Sequence, residues 1–472
     1  MSDDDAEMDA IVAMLEDADL VKQYVNEDDK LALRLTKKGA QVGRAMAMAG
    51  DDDRSALSLG GARGAGPHPL TPTANEPVEP AGNATLPGLR TLRSPTFRSV
   101  LGVFLIAVGT VLWAMLIGAI AADPDEIWGH DFHAFYLAAE RLLASESPYT
   151  AAQLDGPIDA ICGLCYLYPP PFAQALAPLT ALTLEGAKVV WLVLQAAFML
   201  AAVWIATGIG GARRGPERLI WSVVASLYFT PVLATVWFGN VSTLLALLVI
   251  LVALGGAAAG LGAAAAAMLK VVPATLWPAA LAMDRSSRVG LVAGLLGIAA
   301  ISFILAPDAW LDYPAVLRNL LAGSTDYVDN HAPAHLVAGL DIPVLATATR
   351  VSTIALAFAA VVASVPVAHR PGGAPGAALL GTVALLLLPA TLWFHYLAVL
   401  LPFAAMAWPG ADRRWRAGLF VAAVVLVMGS GEPWIAMVGA TALVLTSGWL
   451  LLAPLREAGS PPRASRSRSR WR

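Results

Sequence analysis

Long apolar runs, interrupted by short polar segments, make up most of residues 99–455 of the 472-residue chain. Hydrophobic residues are 57% of the chain and charged residues 14%, whereas soluble domains carry about 25% charged residues. In a bilayer, a spanning segment must satisfy its backbone hydrogen bonds internally, and a helix does this with roughly 20 residues. The sequence therefore predicts an all-α polytopic membrane protein with about twelve transmembrane helices, some of them short or broken.

Arginine residues indicate the orientation of these helices. Basic clusters all fall on one side when Tyr168–Leu184 is treated as a re-entrant or interfacial helix and not as a span. They lie at Arg90 to Arg98, Arg213 to Arg218, Arg285, Arg370, Arg413 to Arg416 and in the tail. By the positive-inside rule that side is the cytosol. We therefore expect a multi-pass protein of the plasma membrane with both termini in the cytosol.

The regions outside the apolar part differ in composition. Residues 1–53 are acidic and predict a small cytosolic region, in which the alternation of Leu31–Leu35 is typical of a strand. Residues 54–98 are rich in Gly, Pro, Thr and Ala and predict a flexible linker, and residues 456–472 form a basic cytosolic tail. We expect no nucleic-acid partner, because the acidic N-terminal region would repel phosphate.

The longest polar insertion in the apolar part, Asp123–Pro171, follows the first span and faces outward in this topology. It contains two histidines, His130 and His133, and eight acidic residues, of which six precede Ser147: Asp123, Asp125, Glu126, Asp131, Glu140 and Glu146. Asp131 lies near the start of an amphipathic helix, where free backbone N–H groups stabilise a carboxylate. Two interpretations stay open for it: an ordinary N-terminal helix acid, or a general base that takes a proton from an acceptor hydroxyl.

Polar residues within the apolar runs are the next candidates. Lys270 and His395 each lie at a hinge on the outer side, where they could bind a phosphate group. The alternatives are an interfacial lysine and a core histidine. Asn240 and Tyr168 could bind sugar hydroxyls or lie at the membrane interface. The sequence has no Walker A motif and no G-x-G-x-x-G after a strand, which argues against a cytosolic nucleotide-driven activity.

The two cysteines, Cys162 and Cys165, form a C-x-x-C pair in the first loop. A local disulfide outside the cytosol is one interpretation, but we favour two buried thiols. Two ligands are too few for a closed structural zinc site.

Five short motifs follow one another between Ser99 and Trp408. They are Asp131 with Tyr136 and Tyr149, Tyr168-Pro169-Pro170, Gly239-Asn240, Lys270 with Pro273, and Trp393 with His395. This order resembles glycosyltransferase family 87, a family of polytopic GT-C enzymes. The family includes polyprenyl-phosphate-dependent mannosyl- and arabinofuranosyltransferases.

The resemblance implies a GT-C-like bundle with a catalytic first external loop. It implies transfer of a mannose- or arabinose-like sugar, with inversion, from a polyprenyl-phosphate donor to a hydroxyl of a lipid or glycan acceptor at the outer face. Asp131 would be the base, and Lys270 and His395 would face the phosphate. The expected substrate-binding residues are Lys270, His395, Asn240, Tyr168, Tyr136, His133 and Trp393. One histidine follows Trp393 where relatives often have two.

No cofactor is expected, although a divalent cation held by Asp123, Asp125 and Asp131 is an open alternative. Two other classes of function are a secondary transporter or lipid-linked sugar flippase, which also use broken helices, and a membrane scaffold. Transporters place charge near the midplane of the membrane, whereas the acidic residues here lie in predicted external loops.

Overall fold

The computed structural model describes residues 21–25, 31–35, 94–122, 128–158, 163–324 and 329–458. The chain divides into two compact units, Met1–Asn83 and Ala84–Arg472. In the first unit, strands β1 (Val21–Val25) and β2 (Leu31–Leu35) pair antiparallel, with Val21 opposite Leu35. The strand predicted at Leu31–Leu35 is therefore confirmed. The boundaries predicted at residues 53, 98 and 455 stay predictions.

The described residues of the second unit are mainly helical. In chain order the α-helices are α1 (Pro95–Ala122), α2 (His130–Leu143), α3 (Ala151–Asp155), α4 (Pro170–Leu176), α5 (Leu184–Ile209), α6 (Pro216–Tyr228), α7 (Thr230–Phe238), α8 (Ser242–Leu254), α9 (Gly256–Leu269), α10 (Trp277–Ala282), α11 (Arg285–Leu305), α12 (Pro307–Ala322), α13 (Pro333–Ala338), α14 (Pro343–Ala368), α15 (Ala374–Leu387), α16 (Leu401–Ala407), α17 (Arg413–Met428) and α18 (Pro433–Ala458). Short 3₁₀ segments occur at Ala177–Ala181, Val272–Leu276 and Phe394–Leu400.

Within the described residues, five helices are long and apolar enough to cross a membrane: α1, α5, α11, α14 and α18. Helices α6 and α7 make a sixth candidate if they count as one span, although they are bent by 67°. The apolar part of the chain is thus an all-α, multi-pass membrane structure. The expected count of about twelve spans stays a prediction, since α8, α9 and α15 are apolar but short.

Two apolar segments of the bundle do not form straight spans, one because of a proline and the other because it is short. The apolar run Leu219–Phe238 is long enough in the sequence for a single span, but the chain bends between Tyr228 and Thr230, and Pro231 lies in the first turn of α7. Proline fits the first turn of a helix, because backbone N–H groups there have no carbonyl partner within the helix. In a helix interior proline would remove a backbone hydrogen bond, so α6 cannot run on through Pro231 without a break. The segment Tyr168–Leu184 contains only α4 and a 3₁₀ turn, so it is too short to span.

Helices α9 and α11 pack with their backbones in contact. A Cβ atom on Gly260 would lie 1.9 Å from the Ser287 carbonyl oxygen, and one on Gly290 would lie 2.6 Å from that of Ala257. Small residues permit such close approach between helices in a membrane. Helix α9 ends at Leu269, and the next residue, Lys270, has an extended backbone conformation. The packing of α9 against α11 therefore helps to position Lys270.

The first loop has its own aromatic core beneath α2. The Phe135 ring packs edge-on against Tyr168 and Phe172, with centroids 4.9 and 5.1 Å apart. Phe132 stacks on Trp191 of α5 at 5.5 Å. These contacts bury one face of α2 and fix the helix on the bundle.

Cys165 is disulfide-bonded, and the only other cysteine in the chain is Cys162, which lies outside the described residues. The expectation of two buried thiols is therefore wrong. Disulfides persist in oxidising compartments and are rare in the cytosol. The bond agrees with the outward orientation predicted for the first loop.

Candidate active site

The carboxylate of Asp131 is held at the start of α2. Its Oδ2 accepts a 2.6 Å hydrogen bond from Nδ2 of Asn240. Helix α2 begins after Gly129, which adopts a left-handed conformation with φ 71° and donates its N–H to the Trp237 carbonyl at 2.9 Å. The start of α2 is thus tied to the end of α7, and Asp131 faces the turn between α7 and α8.

Asn240 is oriented by its own neighbours. Its Oδ1 accepts hydrogen bonds from the backbone N–H of Ser242 at 3.1 Å and from the Ser242 hydroxyl at 2.7 Å. The amide group is therefore fixed with Nδ2 toward Asp131. Gly239 before it has φ 69°, and a Cβ there would lie 2.7 Å from Cβ of Phe132. The Gly-Asn pair is thus explained by a turn too close to α2 for a larger residue.

Two residues of α5 hold this turn from behind, and our sequence analysis did not identify them. Trp191 donates its indole N–H to the Gly239 carbonyl at 2.8 Å. Gln195 donates its amide to the carbonyl oxygens of Asn240 and Thr235. Gln195 is fully buried in an apolar helix. A polar residue in the middle of a predicted span was the signal that could have found it.

Tyr168 and Lys270 continue the network beyond Asn240. Nδ2 of Asn240 also lies 3.4 Å from the Tyr168 hydroxyl. Nζ of Lys270 stands over the Tyr168 ring, 5.6 Å from its centroid, and 3.7 Å from the ring centroid of Tyr396. It also donates a hydrogen bond to the Tyr396 hydroxyl. A continuous series of contacts therefore runs from the carboxylate of Asp131 to the ammonium group of Lys270.

His395 lies beside the far end of this network. Its ring is 4.8 Å from that of Tyr396, 5.4 Å from that of Phe238, and stacked at 6.3 Å on Trp393. The side chain is buried, and its Nε2 has no hydrogen-bond partner among the described residues. The structure thus brings together six of the residues that the sequence singled out: Asp131, Asn240, Tyr168, Lys270, Trp393 and His395.

Residues 166–392 match the family model of glycosyltransferase family 87. Over this segment, which is just under half of the chain, the protein is similar to glycosyltransferase family 87. The family match and the apolar helices support a multi-pass membrane glycosyltransferase and favour it over the transporter and scaffold alternatives. The matched segment contains Tyr168, Asn240 and Lys270, whereas Asp131 and His395 lie outside it. No curated protein and no solved structure matches the chain.

Two of the expected substrate-binding residues of this glycosyltransferase lie elsewhere. Tyr136 donates its hydroxyl to the Leu182 carbonyl at 2.8 Å. His133 is near Lys188, whose positive charge lowers the pKa of the imidazole after the larger effect of burial. Both residues project from α2 at about 140–200° from Asp131, since each residue adds about 100° around a helix. The structure does not bring them to the carboxylate, and their role in substrate binding stays a prediction.

The electrostatic environment of Asp131 suits a base. Burial raises the pKa of the Asp131 carboxyl, whereas the Asn240 hydrogen bond and the charges of His130 and Lys270 lower it in part. A carboxylate whose pKa is raised is a stronger base, and it is charged only above that pKa. In this glycosyltransferase the carboxylate can therefore accept a proton while Asn240 keeps it oriented.

The divalent-cation alternative depends on Asp123 and Asp125, which lie outside the described residues of the glycosyltransferase. Within the part of the chain that the structure describes, no group of three His, Cys, Asp or Glu side chains is placed to hold a metal ion. The described site does provide a basic group, Lys270. Burial lowers the pKa of Lys270 to about 7, and the charge of Asp131 favours its protonated form.

Proposed function

We propose that this glycosyltransferase moves a mannose- or arabinose-like sugar from a polyprenyl-phosphate donor to a hydroxyl of a lipid or glycan acceptor. The reaction takes place at the outer face of the plasma membrane, in a GT-C-like bundle of about twelve spans with cytosolic termini and a catalytic first external loop. The observation that best supports this is the series of contacts from Asp131 to Lys270. It combines a proton acceptor and a phosphate-binding cation in one site.

Each group has a defined task in the proposed reaction. Asp131 takes the proton of the acceptor hydroxyl as its oxygen attacks the anomeric carbon of the sugar. The bond between that carbon and the phosphate oxygen breaks, and the phosphate keeps the electron pair and gains negative charge. Lys270 stabilises this charge as a point cation. Attack from the side opposite the phosphate inverts the anomeric centre, and no cofactor takes part.

The donor class can be tested directly with the full-length protein in lipid nanodiscs. The protein is incubated with polyprenyl-phosphate mannose, polyprenyl-phosphate arabinofuranose and the corresponding nucleotide sugars, in the presence of membrane lipid extract. We expect mass spectrometry to detect released polyprenyl phosphate with at least one lipid donor and no reaction with the nucleotide sugars. Turnover of a nucleotide sugar alone would overturn the proposal.

Replacing Asn240 by alanine should shift the pH dependence of transfer. The hydrogen bond from Asn240 favours the charged form of Asp131, so its loss raises the Asp131 pKa further. Because the base must be deprotonated, the acid limb of the pH–rate profile moves to higher pH. We expect initial rates about tenfold lower near neutral pH, with partial recovery in alkaline buffer.

A matched control is Thr382→Ala, which removes a buried hydroxyl that bonds to the carbonyl of Ala378 in its own helix. Its acid limb should coincide with that of the wild type. An Asn240→Ala profile that is lower at every pH but unshifted would contradict the electrostatic role of Asn240.

A further inference from the structure

Helix α12 lies between two candidate spans, α11 and α14, and begins beside the end of the first of them. Helix α11 ends at Leu305, and Ala306 after it has φ −153° and ψ 75°, so the helical path is broken there. The indole N–H of Trp310 donates to the Ser302 hydroxyl at 2.9 Å, back in the last turn of α11. Helix α12 therefore does not continue α11 but starts next to its last turn.

One face of α12 is packed against the first loop. Asn319 is buried, and its amide donates to the carbonyl oxygens of Gln153 and Leu154, both at 2.9 Å. The ring of Tyr313 stacks on that of Tyr149, with centroids 5.9 Å apart. The buried residues of the helix are Ala309, Tyr313, Val316 and Asn319. Since each residue turns the helix by about 100°, these four lie within about 120° of one another, and protein covers this face.

The opposite face of α12 is exposed and mostly apolar. Its exposed residues are Pro307, Asp308, Leu311, Pro314, Arg318, Leu321 and Ala322. The two leucines are 72% and 87% exposed, and they lie about three turns apart along the same face. Exposed apolar side chains gain free energy when a partner takes them out of water. This face therefore favours contact with an apolar partner.

The exposed apolar surface continues from α11 into α12. In the last turn of α11, Phe303, Ile304 and Leu305 are each at least half exposed. Because α11 is long and apolar enough to cross a membrane, these side chains meet lipid. Leu311 follows six residues later, and Trp310 beside it is of the type that concentrates at the membrane–water boundary. The lipid that surrounds the end of α11 thus extends to the exposed face of α12.

The charges of α12 fit the headgroup layer of a bilayer. Asp312 accepts a 2.6 Å hydrogen bond from the Ser147 hydroxyl on the side of the first loop. The other two charged residues, Asp308 and Arg318, lie on the exposed face. The long side chain of Arg318 can leave its methylene groups on the apolar surface and place its guanidinium at a headgroup phosphate. Charges of both signs suit a zwitterionic headgroup layer and would be costly deeper in the bilayer.

We infer that α12 lies in the plane of the membrane surface, with Leu311 and Leu321 among the acyl chains and its opposite face holding the first loop. The partner of the exposed face is the phospholipid layer on the side of that loop. Amphipathic helices bind such an interface through buried apolar area and through charge. Because Asn319 joins α12 to the first loop, the same contact holds the loop that carries Asp131 at a fixed height above the acyl chains. The position of α12 does not depend on which sugar or acceptor the protein uses.

The depth of α12 can be measured with nitroxide spin labels on the full-length protein in phosphatidylcholine nanodiscs. Cys165 is disulfide-bonded and Cys162 is the only other cysteine of the chain, so a newly introduced cysteine can be labelled selectively. The label is placed at Leu311→Cys and, in a separate protein, at Leu321→Cys. Power-saturation EPR then compares collisions of the nitroxide with oxygen, which enters the acyl chains, and with a nickel chelate, which stays in water.

Two further labelled positions provide the references. Glu140→Cys replaces an exposed acidic residue of α2 and reports the aqueous value, whereas Ile301→Cys replaces an exposed residue of α11 and reports the lipid value. We expect the ratio of oxygen to nickel collisions at Leu311→Cys and Leu321→Cys to be severalfold higher than at Glu140→Cys and to approach that at Ile301→Cys. All four residues are exposed, so each labelled protein should melt at the wild-type temperature.

Each other outcome overturns the inference. A ratio at both α12 positions as low as at Glu140→Cys would show that the exposed face is in water. A high ratio at Leu311→Cys or Leu321→Cys alone would show that the helix does not lie in the membrane plane. Immobilised labels that collide with neither reagent would show that a second copy of the chain or another protein covers the face.

Discussion

Asp131→Asn is expected to reduce sugar transfer by about a thousandfold while the protein keeps its fold. Asparagine has nearly the same shape as aspartate, and its carbonyl oxygen can still accept the hydrogen bond from Asn240 that Asp131 accepts at 2.6 Å. It cannot take a proton from an acceptor hydroxyl. The loss should therefore appear in the rate of transfer, measured in nanodiscs with saturating donor, and not in donor binding.

Glu140→Gln is the matched control for this prediction. Glu140 is an exposed residue of the same helix, and the substitution makes the same change from carboxylate to amide. We expect transfer within about twofold of wild type, because single surface substitutions away from special features usually have small effects. If Asp131→Asn were as active as Glu140→Gln, Asp131 would not be the base.

The second large effect is expected from Gly260→Ala. A methyl group at this position would lie 1.9 Å from the Ser287 carbonyl oxygen and 2.3 Å from the Leu291 nitrogen. Both atoms belong to the backbone of α11, so relief requires the two helices to separate. Overpacking of this kind costs about 3 kcal/mol or more. We expect a melting temperature lower by roughly 5–10 °C in detergent, together with weak transfer, because α9 positions Lys270.

The same substitution at an unhindered glycine of the neighbouring helix α11 provides the control. A Cβ on Gly297 of α11 would meet no atom within 4 Å. Gly297→Ala should melt at or slightly above the wild-type temperature, since alanine favours a helix more than glycine does. Equal melting temperatures for the two variants would contradict the backbone contact between α9 and α11.

The sequence identified those site residues whose chemistry differs from that of their surroundings. Asp131, Lys270 and His395 stood out because ionisable groups are rare among apolar runs and lie at helix breaks. Asn240 was found through its Gly-Asn turn. The sequence could not show which distant side chains hydrogen-bond to the backbone of each turn. Trp191 bonds to the backbone of a turn 48 residues later, and no local pattern encodes that contact.

Other differences follow from signals that our interpretation did not use. The angular spacing on α2 already separated His133 and Tyr136 from Asp131. Pro231 marked the bend that divides Leu219–Phe238. The docking of Asn330 on residues 390–392 could not have been predicted from the sequence, because it joins segments about 60 residues apart.

The position of Lys270 has a consequence for the timing of the reaction. Burial raises the pKa of Asp131, and the Lys270 ammonium offsets part of that rise. An arriving anion that pairs with the ammonium would cancel the offset, so the carboxylate would gain proton affinity once the donor is seated. Such a site would therefore activate its acceptor hydroxyl only after the donor has bound.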